Sequence, residues 1–366
     1  MKKVALVLSC FLLTGCYPQK TGPYNLRNDS VQYNQALQTS IDSQLLLNIV
    51  RLRYRDTPTF LQVGIISASY ENSCGIGADF KLDSLNKASS AVSITPKVSV
   101  DRKEKPTTTY QPVRGEGFVK EFLSPISLQA LVLLNSSGWD IDRIMRCCIQ
   151  RLNGVRNAPT ASGPTPDYKP SYENFLELSD HFAELERNDA IDIVMHKDPK
   201  KGKLEVYLVI EKDLANPHDL QRIWELLDLE PGLDRIKLVA AHGKKHKPDE
   251  INVDMRSPIS LLYFLSHGVR IPEIDRMLGK VTTTTDEQGD YFDWNEVLDG
   301  VIKIHSGPVP CGIAPSAMVY YRGTFFYIED SDLDSKSTFS LLSQLLALQV
   351  TCPDLPVTTL TIPLTD

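Results

Sequence analysis

The sequence predicts an α+β protein made of two lobes of mixed, largely antiparallel sheet with packed helices. Segments with apolar residues at helical spacing alternate with short apolar segments rich in β-branched and aromatic residues. Two pairs of those short segments are joined by tight turns, which indicates antiparallel hairpins. The chain has 366 residues, with 42% hydrophobic and 23% charged residues, which is typical of globular proteins with about two domains.

The first lobe is predicted over residues 31–156. Its opening helix, 31–55, follows from apolar residues such as Leu37 and Ile41 at helical spacing, and it should end at Thr57-Pro58. Three strands and then two helices are predicted beyond it, over 60–70, 91–100, 107–110, 117–134 and 140–152.

Residues 157–170 contain four prolines, which disfavour helix and sheet and therefore predict a linker between the lobes. The second lobe, 171–350, should begin with a helix that places Phe175, Leu178, Phe182 and Leu185 on one face. A later helix should be capped by Asn216, with Pro217 in its first turn. The remaining elements predicted in this lobe are strands 191–195, 204–210, 235–240 and 301–305, a hairpin of 319–321 with 325–328, and a helix over 335–350. Residues 351–366 form a tail and a candidate terminal strand.

Ser124–Met145 and Ser257–Leu278 resemble each other at a fixed offset, 257 − 124 = 133 residues. Both segments begin Ser-Pro-Ile-Ser-Leu, in which Ser can cap a helix and Pro fits its first position. Duplication of one strand-helix-helix unit explains the match, and so does repeated use of a good helix start.

The N-terminus has the layout of a signal peptide. Two lysines precede the apolar run Val4–Leu13, which is too short to span a bilayer as a helix, since that takes about 20 residues. The tetrad Leu-Thr-Gly-Cys that ends at Cys16 resembles the lipobox of bacterial lipoproteins. The resemblance implies cleavage between Gly15 and Cys16 and lipidation of Cys16. Residues 1–15 would then be a signal peptide and 16–30 a polar tether; an ordinary secretory signal is the alternative.

Two or three acyl chains hold a protein on a membrane almost permanently. Because Tyr17 stands where the inner-membrane retention signal of such lipoproteins usually has Asp, the resemblance favours the periplasmic side of the outer membrane. The net charge, 39 − 46 = −7, argues against nucleic acid as a partner. The five cysteines that remain are odd in number, so at least one is unpaired and their disulfide status stays open: Cys74, Cys147, Cys148, Cys311 and Cys352.

Motifs for a hydrolase elbow, a zincin helix, a redox or zinc Cys pair and a P-loop are absent from the sequence, and neither a cofactor nor a metal is predicted. The carboxylates of the Asp330-x-Asp-x-Asp run are interpreted as caps for the last helix. A tethered enzyme would need a site assembled from scattered residues such as Asp293, His305 and Asp330.

The aromatic hairpin near the C-terminus is the candidate partner surface, with Tyr321, Phe325 and Tyr327. Packing beneath the terminal helix is the alternative use of these rings. Arg51 and Arg55, at the end of the first helix, are candidates for contact with an acidic partner or lipid phosphate, and salt bridges at a helix end are the alternative.

Together with the lipobox, three segments resemble a group of uncharacterised bacterial envelope lipoproteins of Gram-negative origin: Leu45–Leu61, Met255–Val269 and Tyr321–Leu342. The resemblance implies a lipid-anchored protein exposed to the periplasm and carries over no catalytic residue. We therefore expect a non-catalytic docking or scaffold module that contacts the membrane through Cys16 and binds envelope proteins. A tethered, hydrolase-like enzyme and a lipid or glycan carrier are the alternatives.

Overall fold

A computed structural model describes residues 23–82, 92–112, 115–158, 169–197, 202–240, 245–308 and 314–349, in places by the backbone alone. It confirms the predicted α+β class, with helices, a six-stranded mixed sheet and a three-stranded antiparallel sheet. The chain divides into two compact units. Residues 1–58 and 117–351 form the larger one, called the body, and the described part of the smaller unit is a long two-stranded hairpin within residues 59–116.

Helix α1 spans Pro23–Arg53, which confirms the first predicted helix but begins eight residues earlier, inside the segment 16–30 that was predicted as a tether. Its C-terminal half is part of the core, since Leu46, Ile49 and Val50 are fully buried. By contrast, the segment 30–36 is exposed apart from the half-buried Tyr33. The helix therefore runs from a solvated polar start into the interior of the body.

The hairpin consists of β1 (Leu61–Leu82) and β2 (Val92–Pro112), which pair antiparallel along almost their whole length. Three shorter strands were predicted here, and the structure joins them into two. The predicted strands left out 71–82 and 101–106, whereas the backbone is extended through both segments, including Gly75, Gly77 and Pro106.

The six-stranded sheet has the order β4-β3-β8-β7-β6-β5. Its strands are β3 (Ile149–Leu152), β4 (Val155–Arg156), β5 (Ile191–Lys197), β6 (Leu204–Ile210), β7 (Arg235–Ala240) and β8 (Glu250–Met255). Because β3 pairs with β8, strands from both sides of residues 157–170 belong to one sheet. The predicted boundary between two lobes at that segment is therefore wrong.

Three helices lie between β2 and β3 in the sequence: α2 (Glu116–Leu123), α3 (Leu128–Ser136) and α4 (Ile141–Cys148). Two longer helices were predicted. Ser127 accepts a hydrogen bond from the Ala130 N–H and caps α3, so Ser124 is not the cap. In the second Ser-Pro-Ile-Ser-Leu, Ser257 does cap helix α7 (Pro258–Ser266). The two matching segments thus start their helices three residues apart, and duplication remains a hypothesis.

Helices α5 (Glu173–Arg187) and α6 (Pro217–Leu227) confirm their predictions. The four apolar residues predicted on one face of α5 are all buried. At the start of α6, Asn216 accepts a hydrogen bond from the His218 N–H, and Pro217 occupies the first turn. The strands β5 and β6 form the predicted antiparallel hairpin.

The C-terminal part of the body contains a three-stranded sheet of order β10-β11-β9. Its elements are α8 (Glu273–Met277), α9 (Asn295–Leu298), β9 (His305–Gly307), β10 (Ala317–Tyr321), β11 (Thr324–Ile328) and α10 (Leu333–Gln349). The aromatic hairpin and the last helix are as predicted, whereas residues 301–304 are not a strand. Among the described helices, none alone is long and apolar enough to cross a membrane, and the bent pair α2–α3 meets that criterion only jointly.

Arg256 is buried in the body with 1% of its surface exposed. Its guanidinium donates hydrogen bonds to the carbonyl oxygens of Arg146, Cys147 and Ala158 and lies 3.8 Å from the Phe264 ring centre. Burial lowers the pKa of Arg256 to about 10. The side chain therefore joins the C-terminal end of α4, where backbone carbonyls lack helical partners, to helix α7.

Candidate docking surfaces

The distal half of the hairpin separates apolar and polar residues onto its two faces. In the antiparallel register Cys74 is opposite Val100 and Leu82 is opposite Val92, and every second residue between them shares that face. The apolar face contains Cys74, Ile76, Ala78, Phe80, Leu82, Val92, Ile94, Pro96, Val98 and Val100. The other face contains Ser73, Gly75, Gly77, Asp79, Lys81, Ser93, Thr95, Lys97, Ser99 and Asp101. Sequence reasoning divided this region and missed the alternation.

A band of charged residues lies next to the apolar face. Glu71 is paired in register with Lys103, and Tyr70 is paired with Glu104, while Arg102 and Lys105 flank them. These positions alternate between the two faces, so charge is present on both sides of the ribbon at this level. The apolar face is thus bounded by a charged band on one side and by the end of the strands on the other.

The aromatic hairpin of β10 and β11 has an exposed face and a packed face. Register and alternation place Met318, Tyr320 and Phe325 on one face, and all three are exposed. Tyr327 shares this face but is buried, stacked on the His305 ring with 5.4 Å between ring centres. Only Phe325 of the three predicted partner residues is therefore an exposed aromatic residue, and the prediction missed Tyr320, which lies 4.9 Å from it.

Tyr321 lies on the packed face and contributes to a polar network. Its hydroxyl donates to Asp56, and the Arg322 guanidinium lies 2.8 Å from the same carboxylate. Burial raises the pKa of Asp56, but hydrogen bonds from Tyr321 and Arg322 outweigh that effect, so the pKa is lowered. Tyr321 and Arg322 thus fix the hairpin turn to the residues that follow α1.

The network continues through Tyr54, whose ring lies between Tyr321 and Phe326 at centroid distances of 6.0 and 6.2 Å. Its hydroxyl donates to the buried carboxylate of Asp275 at 2.7 Å, and Lys280 lies 2.6 Å from that carboxylate. Burial raises the pKa of Asp275, but the hydrogen bonds from Lys280 and Tyr54 outweigh that effect, so the pKa is lowered. These contacts join α1, α8 and the three-stranded sheet.

The arginines at the end of α1 have different environments. Arg53 is buried, and its guanidinium donates to the Thr282 carbonyl oxygen at 3.0 Å. Arg51 is half-buried, and Arg55 is exposed with a left-handed backbone, φ 60°. Of the two predicted candidates, Arg55 alone is fully exposed to a partner.

A second exposed apolar surface lies on α8. Ile274, Met277 and Leu278 are 66%, 80% and 63% exposed. Their spacing places them on one side of the helix, while the neighbouring Asp275 is buried. Sequence reasoning did not identify this surface.

The residues named for an enzymatic site lie apart. Asp293 borders two cavities, of about 150 and about 670 Å³, whereas His305 borders a different one of about 360 Å³. Asp330 forms an ion pair with Lys336 at 2.7 Å. In the smallest cavity, burial lowers the pKa of His267 to about 3, so its imidazole is neutral. The structure does not bring the three predicted residues into one site.

One group of described side chains could hold a metal ion. Ligand atoms of His181, His218 and Asp219 lie within 4.8 Å of one another. His181 Nδ1 is 2.8 Å from Asp219 Oδ1, a distance that a hydrogen bond explains without a metal. His181 is on α5, and the other two residues are in the first turn of α6, so sequence spacing alone could not have revealed the group.

The cysteines that the structure describes with side chains, Cys147 and Cys148, are free thiols and fully buried. Burial raises the pKa of Cys147 to about 11. Gly15 and Cys16, the predicted cleavage and lipidation site, lie outside the described residues, as do Cys311 and Cys352. The lipid anchor therefore remains a prediction from the sequence.

No protein-family model matches the chain, and no similar protein was found among the curated proteins or the solved structures. The geometry of the described residues offers an apolar face on the hairpin and exposed surfaces on β10–β11 and on α8.

Proposed function

We propose that the protein is a lipid-anchored envelope lipoprotein on the periplasmic side of the outer membrane, where it acts as a non-catalytic docking module. The observation that carries this proposal is the long hairpin. It forms a compact unit apart from the body, has one wholly apolar face in its distal half, and pairs with no third strand among the described residues. An apolar surface of this kind is typical of sites for association.

The start of the chain supports the anchoring part of the proposal. The lipobox-like tetrad ends at Cys16, only seven residues before α1 begins, since 23 − 16 = 7. The helix itself is about 46 Å long at 1.5 Å per residue. Its segment 30–36 is exposed apart from the half-buried Tyr33 and its end is buried, as expected of a spacer between a lipid anchor and a folded body.

The enzyme and carrier alternatives receive less support from the structure. The ionisable residues named for catalysis border separate cavities or form surface ion pairs. Buried polar groups such as Arg256 and Asp275 have hydrogen-bond partners within the body. A carrier between two lobes would need a boundary that the six-stranded sheet does not have.

The test is site-specific photocrosslinking in living cells. A photoreactive amino acid replaces Tyr110 at the hairpin base, which is 56% exposed, or Tyr320, which is 64% exposed. The exposed His196 on β5 serves as the matched control. We expect envelope proteins to be captured from the first two positions and not from the control.

The variant Cys16→Ser, crosslinked and fractionated in the same way, tests the anchor. We expect it to leave the membrane fraction and to lose the captured proteins. Absence of acyl chains on Cys16 of the unchanged protein, measured by mass spectrometry, would refute the lipid anchor. If neither Tyr110 nor Tyr320 captures a protein in cells where a known envelope complex is captured, the docking function is refuted.

A further inference from the structure

The distal hairpin matches the dimensions of a membrane-crossing β element. Its apolar face spans nine residues in each strand, five of which lie on that face, and a tilted strand needs nine to eleven residues to cross a bilayer. At about 3.3 Å per residue these nine residues are about 30 Å long, and at a tilt of about 40° they cross about 23 Å, close to the roughly 25 Å apolar band of membrane-spanning strands. The charged band from Glu71 to Arg102 and Glu104 stands where the headgroup region would begin.

The two faces also have the composition of strands that separate lipid from water. Strands of this kind alternate apolar residues toward lipid with polar residues toward an aqueous interior. In the hairpin the alternation continues without exception from Ser73 to Leu82 and from Val92 to Asp101. A sheet that packs one face on a protein core would also alternate, but the hairpin forms its own compact unit and the described residues show no second layer within that unit.

A two-stranded ribbon does not satisfy its own edges. Each outer edge presents N–H and C=O groups, which cost several kcal/mol apiece if they remain unpaired in lipid. Isolated hairpins are also marginally stable in water. Further strands must therefore pair with β1 and β2, and neighbouring copies of this chain supply identical strands at the same membrane depth.

From these observations we infer that the segments 73–82 and 92–101 insert into the lipid bilayer, and that hairpins of several copies pair edge to edge into a closed ring. The apolar face contacts acyl chains, and the face with Asp79, Lys81 and Lys97 lines an aqueous interior. This inference rests on the proposed lipid anchorage, which brings the hairpin to a membrane, and it names both the partner and the environment of the hairpin.

The experiment uses the full-length lipidated protein in vesicles of phosphatidylethanolamine and phosphatidylglycerol. Single cysteines replace Ile76 or Phe80 on the apolar face, and Gly77 or Asp79 on the polar face, in a chain whose Cys74, Cys311 and Cys352 are serine. Each carries an environment-sensitive fluorophore. We expect nitroxide-labelled lipid to quench the first pair and aqueous iodide to quench the second. Equal iodide quenching at all four positions would overturn the inference.

A matched pair of arginine substitutions tests the lipid contact. An arginine at the bilayer midplane costs about 2 kcal/mol or more, so Ala78→Arg, at the centre of the apolar face, should lower the equilibrium constant for insertion at least about thirtyfold. Gly77→Arg, one residue away on the polar face, should insert normally. Equal insertion of the two variants contradicts the assignment of the faces. Unchanged thermal unfolding of the body in both variants shows that folding is intact.

Chemical crosslinking in the same vesicles, at a low ratio of protein to lipid, tests the edge pairing. Crosslinked products that contain two, three and more chains, up to one fixed maximum number, support the ring. Products that contain only single chains overturn it. If the hairpin inserts and the chains crosslink to one another, but no other envelope protein is captured in cells, the docking function alone is refuted. If iodide quenches the fluorophores on the apolar face and only single chains are found, but envelope proteins are still captured in cells, the ring alone is refuted.

Discussion

Replacing Arg256 should destabilise the body strongly, because three carbonyl oxygens depend on its guanidinium. In Arg256→Met the Arg146 oxygen keeps a hydrogen bond from the Asn157 side chain at 2.9 Å. The Cys147 and Ala158 oxygens lose the guanidinium. Each buried carbonyl left without a partner costs about 1–3 kcal/mol, and removal of a buried charge offsets part of the sum.

We therefore expect the free energy of unfolding to fall by about 3 kcal/mol, which corresponds to a melting temperature lower by about 4–5 °C in a protein of this size, at an unfolding entropy of about 2.1 cal/mol/K per residue. Thermal unfolding of the lipidated protein in mild detergent, followed by tryptophan fluorescence, measures the change. Arg235→Met is the matched control. Its guanidinium is exposed and lies 4.0 Å from the Tyr207 ring centre, so the loss should stay below about 1 kcal/mol. Equal melting temperatures for the two variants would refute the role given to the buried guanidinium.

Three further predictions concern the thiols, the acid response and the helix caps. Cys147 and Cys148 should resist a maleimide in the native protein and react after denaturation; rapid native labelling would contradict their burial. The folded-state pKa of Asp275 is lowered, so its contribution to stability is present above the unfolded value near 4 and is lost as pH falls below it. Asp275→Asn should therefore destabilise the protein at pH 7 and much less at pH 3, and an equal loss at both pH values would argue against this linkage. Ser257→Ala should cost about 1 kcal/mol in chemical denaturation and Ser124→Ala clearly less, since only the first caps a helix; equal costs would contradict the assignment.

Local patterns predicted the elements whose stabilisation is local. The helix with Phe175 and Phe182, the Asn216-Pro217 cap and the β5–β6 hairpin all formed as expected, because one amphipathic face or one tight turn specifies each of them. The long-range arrangement was not predictable in this way. Strand β8 has the polar residues Asn252 and Asp254 in buried positions, which obscure a strand pattern.

Hydrogen bonds and ion pairs join these two residues to distant parts of the chain that no sequence window contains. The Asn252 N–H donates to the Asn153 side chain at 2.7 Å, and Asp254 lies 3.7 Å from Arg151. The same contacts merge the two predicted lobes into one sheet. For the candidate surfaces, the alternation that marks the apolar face of the long hairpin is present in the sequence, but it was missed because the region was divided into three strands. The sequence pattern could not distinguish the exposed Tyr320 from the buried Tyr327, because both residues lie on the same face of one sheet.

The packing of α1 has a consequence for the order in which the chain can fold during synthesis. Ser43 donates to the Met318 carbonyl oxygen, and Tyr54 packs against Phe326, so the helix made first is completed by strands made almost last. Contacts across such separations form late, after most of the loop-closure entropy has been spent. Part of the apolar side of α1 packs on α7, and the rest stays uncovered until β10 and β11 emerge; in that interval the uncovered part is a natural binding site for a chaperone.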